Sequence, residues 1–421
     1  MRKAIEILSL ELKTLVRSKT LALLLVASVG WVLAFPQVMR GDGTPEGARE
    51  LCLHYSLGGV FFLLVAALLA SATGSIARER TAKRLQLTLV RPVRYFSVAL
   101  GKILAHVAVG ALVLAVACLT LALGTDLSKP CSHVLSPILP SPREAAKVMY
   151  EKFLRDPNTP DELKRTKKSV MLRIMENRAI DQYQTIPTNT TAYWRFERTR
   201  IPAGPQDLAV RLRFTNQYAM RQDAFGQFAF GTHSGLVSNV TQSVLTIPLR
   251  SADLASADAD KLLFANRGKT PLMLCPRKDL NLLVPADAFW RNLLRAYVEL
   301  VSILALIVSF GIFLSAGLGR PVALFVAFVT LAVSEMSPSV AQQYPDELET
   351  DLVDHVGLCI TRFSATVTRP VSTLAPLEAL AKDECVEPSE TLQFALADLV
   401  AVPLAFALLT ALVLPRKQEE S

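Results

Sequence analysis

Long stretches without one charged residue alternate along this chain with short, strongly charged ones, and that alternation restricts its fold more than any motif does. No charge falls between Lys19 and Arg40, between Glu50 and Arg78 (apart from its centre, Gly58 to Ala72, this run is more mixed), or between Lys102 and Asp126. Further runs extend from Leu300 to Gly319, from Pro321 to an early stop at Glu335, and from Leu392 to Leu414, the last broken only by Asp398. A helix crossing a bilayer needs about 20 mostly apolar residues. The pattern therefore predicts an α-helical polytopic membrane protein with about six spans, the fifth of them short. Of the 421 residues, 51% are hydrophobic and 19% charged, against roughly 25% charged in soluble domains. A single soluble globule and a disordered chain are both excluded.

Lys and Arg in short loops set the orientation. Arg2, Lys3, Lys13, Arg17 and Lys19, then Arg78 to Lys102, then Arg320, then Arg416 and Lys417 all fall on one side of six spans, which is the cytoplasmic side. The stretch after the fifth span is acidic, with Asp346, Glu347, Glu349, Asp351 and Asp354. Both termini are then cytoplasmic, in a cell (inner) membrane. The net charge of +8 reflects this topology. No basic patch with interleaved aromatics appears, so nucleic acid is not an expected partner.

The stretch before the first span places Ile5, Leu8, Leu12, Leu15 and Val16 at helical spacing among Lys3, Glu6, Lys13 and Arg17. Two readings fit: an amphipathic helix lying at the membrane surface, or a plain extension of the first span. The chain then divides into a cytoplasmic amphipathic helix (1–19), three spans with a cytoplasmic loop at 76–98 (20–123), an extracytoplasmic α+β domain (124–290), two spans (291–336), a second extracytoplasmic insertion (337–391), and a last span with a cytoplasmic tail (392–421).

In the large insertion, Pro142–Leu154 and Pro160–Met175 read as helices, with Asn158 or Thr159 able to cap the second. From Thr191 onward the pattern shifts to period two. Strands are expected at Ala192–Glu197, Leu208–Phe214, Gly226–Phe230, Ser243–Leu249, Lys261–Asn266 and Pro271–Leu274, which together suggest a small β-sandwich. The second insertion suggests two short helices around Pro370 and Pro376.

Five of the six cysteines, Cys52, Cys131, Cys275, Cys359 and Cys385, fall outside by this topology, and Cys118 lies in the third span. Cys359 with Cys385, and Cys131 with Cys275, are possible bridges, but spacing gives no connectivity. No metal-ligand spacing occurs. Among intramembrane ionisable residues, which are functional candidates by default, Asp398 and Glu335 are possible pathway residues, while Arg295 and Glu299 at i,i+4 are expected to pair. Pro403 should kink the last span.

The loop between the second and third spans carries the most information. It opens with a charged turn, Arg78 to Arg84, continues through Leu85, Leu87 and Leu89, stops at Pro92 and resumes at Tyr95. A loop that only enforced topology would need Arg and Lys alone. It would not need Glu79, the apolar turn or the Arg91-Pro92-Val93 stop. The segment resembles the signature joining spans two and three in the type-2 ATP-binding-cassette (ABC) transporter permease family, through Glu79, Arg80, Thr81, Leu85, Leu89, Pro92, Val93, Gly101 and Lys102. Ala82 and Gln86 stand where that family usually has Gly and Glu. The likeness covers the membrane part and not the large outer domain.

The resemblance implies a permease subunit of an exporter that pairs with a second permease subunit, as a homodimer or heterodimer, and with ABC ATPase subunits, and that itself contacts membrane lipid. Glu79, Arg80, Thr81, Leu85, Leu89, Pro92 and Val93 would couple the bundle to the ATPase. No cofactor is expected on this chain, ATP being held by the partner. Its one P-loop-like triplet, Gly268-Lys269-Thr270, has Leu263 where a P-loop needs Gly. An enzyme is not expected, since no nucleophile with a base, no paired carboxylates and no metal set stands out. The alternative is a membrane-anchored binding or sensor protein that uses its extracytoplasmic domain.

Overall fold

A computed structural model describes residues 2–38, 45–82, 94–124, 130–139, 141–156, 168–201, 207–216, 221–250, 260–343 and 375–419. The chain separates into two compact units: one formed by 1–40, 50–129 and 288–421, the other by 41–49 and 130–287.

The first unit is helical. It comprises α1 (Arg2–Val16), α2 (Lys19–Val38), α3 (Pro45–Thr81), α4 (Tyr95–Gly124), α7 (Phe289–Gly317), α8 (Arg320–Gln343), α9 (Ala375–Ala381), α10 (Pro388–Phe394) and α11 (Val402–Glu419), with a π-helical turn, Ala395–Ala401, between the last two. Helices α5 and α6 belong to the second unit. Five helices are long and apolar enough to cross a membrane: Lys19–Val38, Gly47–Thr81, Tyr95–Gly124, Phe289–Gly317 and Pro388–Leu414. In α8 the apolar part is shorter, Arg320–Val333.

α7 is the centre of this bundle. Leu300, Leu304, Ala305, Val308 and Ile312 are fully buried, and α7 packs on α4, α11, α8, α9 and α10. Leu57, Leu64, Ala72 and Ile76 of α3 and Ile103, Val113 and Leu114 of α4 fill the same core. Small residues allow close approach, as expected where lipid removes the hydrophobic drive between helices. A Cβ on Gly110 would lie 2.7 Å from Leu68, and one on Gly311 would lie 3.2 Å from Ala72. By contrast Leu23 and Val26 of α2, Phe325 and Phe328 of α8, and Leu408 and Leu412 of α11 are exposed.

Several expectations are corrected here. The fourth apolar helix begins at Phe289, close to the expected start of the span at 291, and runs through Arg291, Arg295 and Glu299 before the charge-free run opens at Leu300. Arg295 and Glu299, expected to pair, both reach the segment before the last helix. Glu299 Oε1 accepts from Thr391 Oγ1 at 2.7 Å, and Arg295 Nη1 donates to the Val386 carbonyl at 3.4 Å. A π-helical turn, Ala395–Ala401, stands just before Pro403, where a kink is expected. Proline has no N–H to give the carbonyl four residues back, and a π-turn is one way a helix absorbs that loss. α1 is a separate helix, broken from α2 at Arg17 and Ser18, and so is not a plain extension. The described parts of the second insertion include the short helices α9 and α10; residues 344–374, with Cys359, lie outside the described residues.

The second unit has two four-stranded sheets. One has the order β1-β10-β4-β7 and the other β3-β8-β5-β6, with β1 Pro130–Leu135, β2 Thr185–Ile186, β3 Thr191–Arg195, β4 Asp207–Arg213, β5 Asp223–Phe230, β6 His233–Val240, β7 Val244–Arg250, β8 Lys261–Asn266, β9 Leu272–Met273 and β10 Leu280–Ala288. Alternating residues of both sheets enter one core: Leu208, Val210 and Leu212 from β4, Leu280 and Leu282 from β10, Trp194 from β3, Phe228 and Phe230 from β5, and Leu262 and Phe264 from β8. Phe214 and Phe264 rings lie 4.6 Å apart in this core. Gly226 leaves the space that the Phe264 ring fills. A helical hairpin of α5 (Pro142–Arg155) and α6 (Lys168–Gln184) has its own small core of Ala146, Met171 and Met175. The proposed start of the second helix at Pro160, with caps at Asn158 or Thr159, lies outside the described residues.

Cys131 takes part in a disulfide while Cys275 is a free thiol, so the suggested Cys131–Cys275 bridge is not formed. Cys385 is disulfide-bonded, and Cys52 and Cys118 are free. Gly268-Lys269-Thr270 is a bend organised by the buried Asn266. Its Nδ2 donates to the carbonyls of Ile186 and Thr270, and its Oδ1 accepts from Gly268 N. Replacing Phe264 with Ala empties the centre of the core and is expected to cost about 3–5 kcal/mol. Limited proteolysis of the full-length variant should show cleavage within 130–287 under conditions that leave the parent intact.

Candidate functional site

The charged loop expected to carry function begins where α3 ends. Glu79, Arg80 and Thr81 occupy the last turn of α3; Leu85, Leu89, Pro92 and Val93 lie outside the described residues. What the structure shows is how the two ends of that loop are fastened.

Lys102, in the second turn of α4, is 2% exposed. Its Nζ donates to Glu79 Oε1 at 2.8 Å and to Glu11 Oε2 at 3.1 Å. Three helices therefore meet at one ammonium: α1 through Glu11, α3 through Glu79, and α4 through Lys102 itself. Ser75, one turn before Glu79, donates to Glu11 Oε1 at 3.4 Å. A buried unpaired ammonium is costly enough that it is tolerated only with partners of this kind, so the carboxylates hold both their helices at a fixed place.

One turn further along α4, His106 is fully buried. Its Nδ1 lies 2.9 Å from the Lys102 carbonyl and its Nε2 lies 3.1 Å from Ser71 Oγ. A carbonyl only accepts, so in the neutral ring Nδ1 carries the proton and Nε2 accepts from the serine hydroxyl. The histidine thus ties α4 to α3 just beneath the ion pairs.

Backbone fit reinforces the charges. α1 packs along α4, and a Cβ on Gly101 would meet the Ala4 carbonyl and the Ile7 side chain at 2.9 Å. Only a residue without a side chain fits there. α3 is secured on its other flank as well. Ser315 Oγ of α7 accepts from Ile76 N and Ala77 N, both at 3.0 Å, and Arg80 Nη1 donates to the Ala316 carbonyl at 2.8 Å. Thr81 Oγ1 donates within α3 to the carbonyls of Ala77 and Arg78.

The possible pathway residues stand apart from this cluster. Asp398 lies in the π-helical turn, 6% exposed, and its Oδ2 has no hydrogen-bond partner among the described residues. Glu335 falls within α8, and its side chain lies outside the described residues. At the start of α7, Asn292 holds the 384–386 strand of backbone on both sides. Its Nδ2 donates to the Glu384 carbonyl at 2.7 Å, and its Oδ1 accepts from Val386 N at 2.7 Å. Among the described residues, no group of three or more His, Cys, Asp or Glu is placed to hold a metal ion.

Glu11, His106, Ser315 and Asn292 were not singled out by the sequence. A clue existed for Glu11, which is an acid flanked by Leu10 and Leu12 within an amphipathic helix. For Ser315 and Asn292 no local signal exists. The chain matches no family model, no curated protein and no solved structure.

Lys102→Met should leave two carboxylates facing each other and lower stability by roughly 3 kcal/mol, as for other buried pairs broken on one side. Gly101→Leu should force α1 away from α4 without altering any charge. Thermal unfolding of the purified full chain checks both; an unchanged midpoint for Lys102→Met would show that the cluster contributes nothing to holding the helices.

Proposed function

We propose that this chain is the permease subunit of an ABC transporter of the type-2 exporter kind, working with a second permease subunit and a separate ATPase. The observation that supports it is the Glu11–Lys102–Glu79 cluster. It joins the last turn before residues 83–93 to the second turn of the helix that follows them, and adds α1 to both. A load applied to 83–93 therefore reaches α1, α3 and α4 together, and reaches α7 through Ser315 and Arg80. It is not absorbed by the fraying of one helix end, and packed helices respond to such a load as near-rigid bodies.

In this reading the 76–98 segment faces the cytoplasm, as its Lys and Arg content favours, and Leu85, Leu89, Pro92 and Val93 meet the ATPase. α8 makes the short fifth crossing, so that six crossings leave both termini inside. The sheet-bearing insertion and the stretch before α10 then face outward. Disulfides persist in oxidising compartments, and the bonded state of Cys131 and Cys385 suits that side. ATP-driven closure of the ATPase would push on the loop and rearrange the bundles. Asp398, buried with an unsatisfied oxygen, and Glu335 are the residues proposed to lie along the pathway.

Two measurements test this. A cysteine introduced at Leu85 should cross-link to an ATPase that co-purifies with the full chain, and membrane-impermeant reagents should label it only from the cytoplasmic side. Labelling from the opposite side would overturn the topology and the coupling role together. Correct labelling with no co-purifying ATPase would leave the anchored binding protein as the better reading. Within an assembled complex, Asp398→Ala with unchanged transport-coupled ATP hydrolysis would remove that residue from the mechanism.

A further inference from the structure

Sheets end in edges, and the two four-stranded sheets of the second unit have four: β1, β7, β3 and β6. Natural edge strands carry devices that stop another strand from pairing with them, such as proline, charge, shortness or a covering segment. β1 opens with Pro130. β7 contains Pro248 and ends at Arg250. β3 is five residues long and carries Arg195, whose carbonyl already accepts from Ile138 N at 2.7 Å. β6, His-Ser-Gly-Leu-Val-Ser-Asn-Val, shows none of these devices among the described residues. Its eight residues include no proline and no Asp, Glu, Lys or Arg.

The register identifies which backbone groups of β6 point outward. β5 and β6 are joined by a two-residue turn, Gly231-Thr232, with Gly231 at φ 60°. Glycine first in a two-residue hairpin suits a type II′ turn. Phe225 O accepts from Arg267 N on the β8 side, so the even-numbered residues of β5 exchange hydrogen bonds with β6. Their partners are His233, Gly235, Val237 and Asn239. By the alternation of antiparallel ladders, the N–H and C=O groups of Ser234, Leu236, Ser238 and Val240 then point away from the sheet. The side chains of these same four residues are exposed, Leu236 at 73%. The face they belong to continues through Phe225, Leu263 and Tyr193, all exposed. An apolar face beside an undefended edge marks a surface made for a partner.

We infer that β6 pairs antiparallel with β6 of a second copy of this chain, joining the two β3-β8-β5-β6 sheets into one continuous sheet. Recognition of an unrelated peptide by strand addition draws its specificity from side-chain pockets or charges beside the edge, and β6 carries no charge to supply it. Self-pairing needs neither, because a two-fold axis sets the register. With the axis at Val237, Ser234 lies opposite the second copy's Val240, and Leu236 opposite its Ser238. All outward groups are then matched in about eight hydrogen bonds, with small polar residues facing aliphatic ones and no like charges opposed. The pairing stands on the sheet alone and does not depend on the transport reading.

Full-length chain carrying Ser238→Cys, treated in its membrane with a short bis-maleimide, should give a covalent dimer beyond the background of the parent chain and its free thiols. Thr191→Cys, at the far edge of the same sheet, should not, since the two copies of that edge would stand roughly 34 Å apart. Adding Leu236→Pro, which removes only an outward N–H, should abolish the Ser238→Cys dimer. Adding Leu236→Lys, which keeps the backbone and places two like charges beside the axis, should abolish it too. Absence of the Ser238→Cys dimer overturns the inference. So does equal cross-linking at Thr191, survival of the dimer with Leu236→Lys, or capture of a different polypeptide by Ser238→Cys. ATPase co-purification from the same membranes keeps the two questions separate: a Ser238 dimer without an ATPase defeats only the permease reading, and an ATPase without the dimer defeats only the pairing.

Discussion

One buried ammonium held by two carboxylates joins three helices of the helical unit beside residues 83–93. Lys102 stands in the second turn of α4, which from Ile103 to Gly124 is apolar apart from His106, Thr120 and small residues. Without partners its charge would have to reach water, and the first turns of α4 would have to sit at a surface. Glu79 and Glu11 remove that constraint. In doing so they turn α1 from an amphipathic helix free to lie at a membrane surface into a member of the bundle, packed on α4 over Gly101. A feature as small as a missing Cβ and a feature as strong as an ion pair therefore act on the same contact.

α7 extends this arrangement through the unit. Near its start, Asn292 and Glu299 hold the backbone around Val386 and the hydroxyl of Thr391; near its end, Ser315 and the Ala316 carbonyl hold α3 at Ile76 to Arg80. These anchor points are about 34 Å apart at the rise of an α-helix. Between them α7 packs mostly on apolar residues, with Tyr297 Oη donating to the Ala111 carbonyl of α4 at 3.1 Å and Ser302 bonded back to its own helix. The polar side chains are thus concentrated where the helix must be registered against a neighbour, and dispersion forces suffice elsewhere. Exceptions are the buried oxygens of Ser309, Thr410 and Asp398, which have no partner among the described residues.

Much of this organisation is legible in the sequence, and the gaps have identifiable physical causes. Apolar runs mark helices because a bilayer demands length and greasiness together, which is why α2 is read closely and α3 and α4 are found, though both begin several residues before their charge-free runs. α7 carries Arg291, Arg295 and Glu299 in its first eleven residues, ahead of its charge-free run. Arg295 and Glu299 meet partners at Val386 and Thr391 that no local window reveals. β8 is recovered residue for residue from its alternation, whereas β6 escapes because Ser, Gly and Asn dilute its pattern. β10 escapes because Leu280-Asn-Leu-Leu reads as a run rather than an alternation. The loop motif points to Glu79 and Lys102 separately. Their joining, and the inclusion of Glu11 from ninety-one positions away, belongs to tertiary structure alone.

The chemical identity of the Lys102 cluster bears on what it is suited to do. Apolar side chains of equal volume hold helices together as well as a buried ion pair, and often better, because they carry no desolvation cost. An ion pair differs in being exchangeable. A carboxylate that leaves Lys102 loses one specific partner, and water or a guanidinium can take it up at once, whereas a leucine pulled from a core leaves only a cavity. Glu79 is the more exposed of the two acids, at 30% against 16% for Glu11, and it lies on the turn that leads into the loop, with Arg78 and Arg80 on either side. Both acids bond the one buried ammonium, so the Glu79–Lys102 contact joins α3 to α4 and α1 at the turn that leads into residues 83–93.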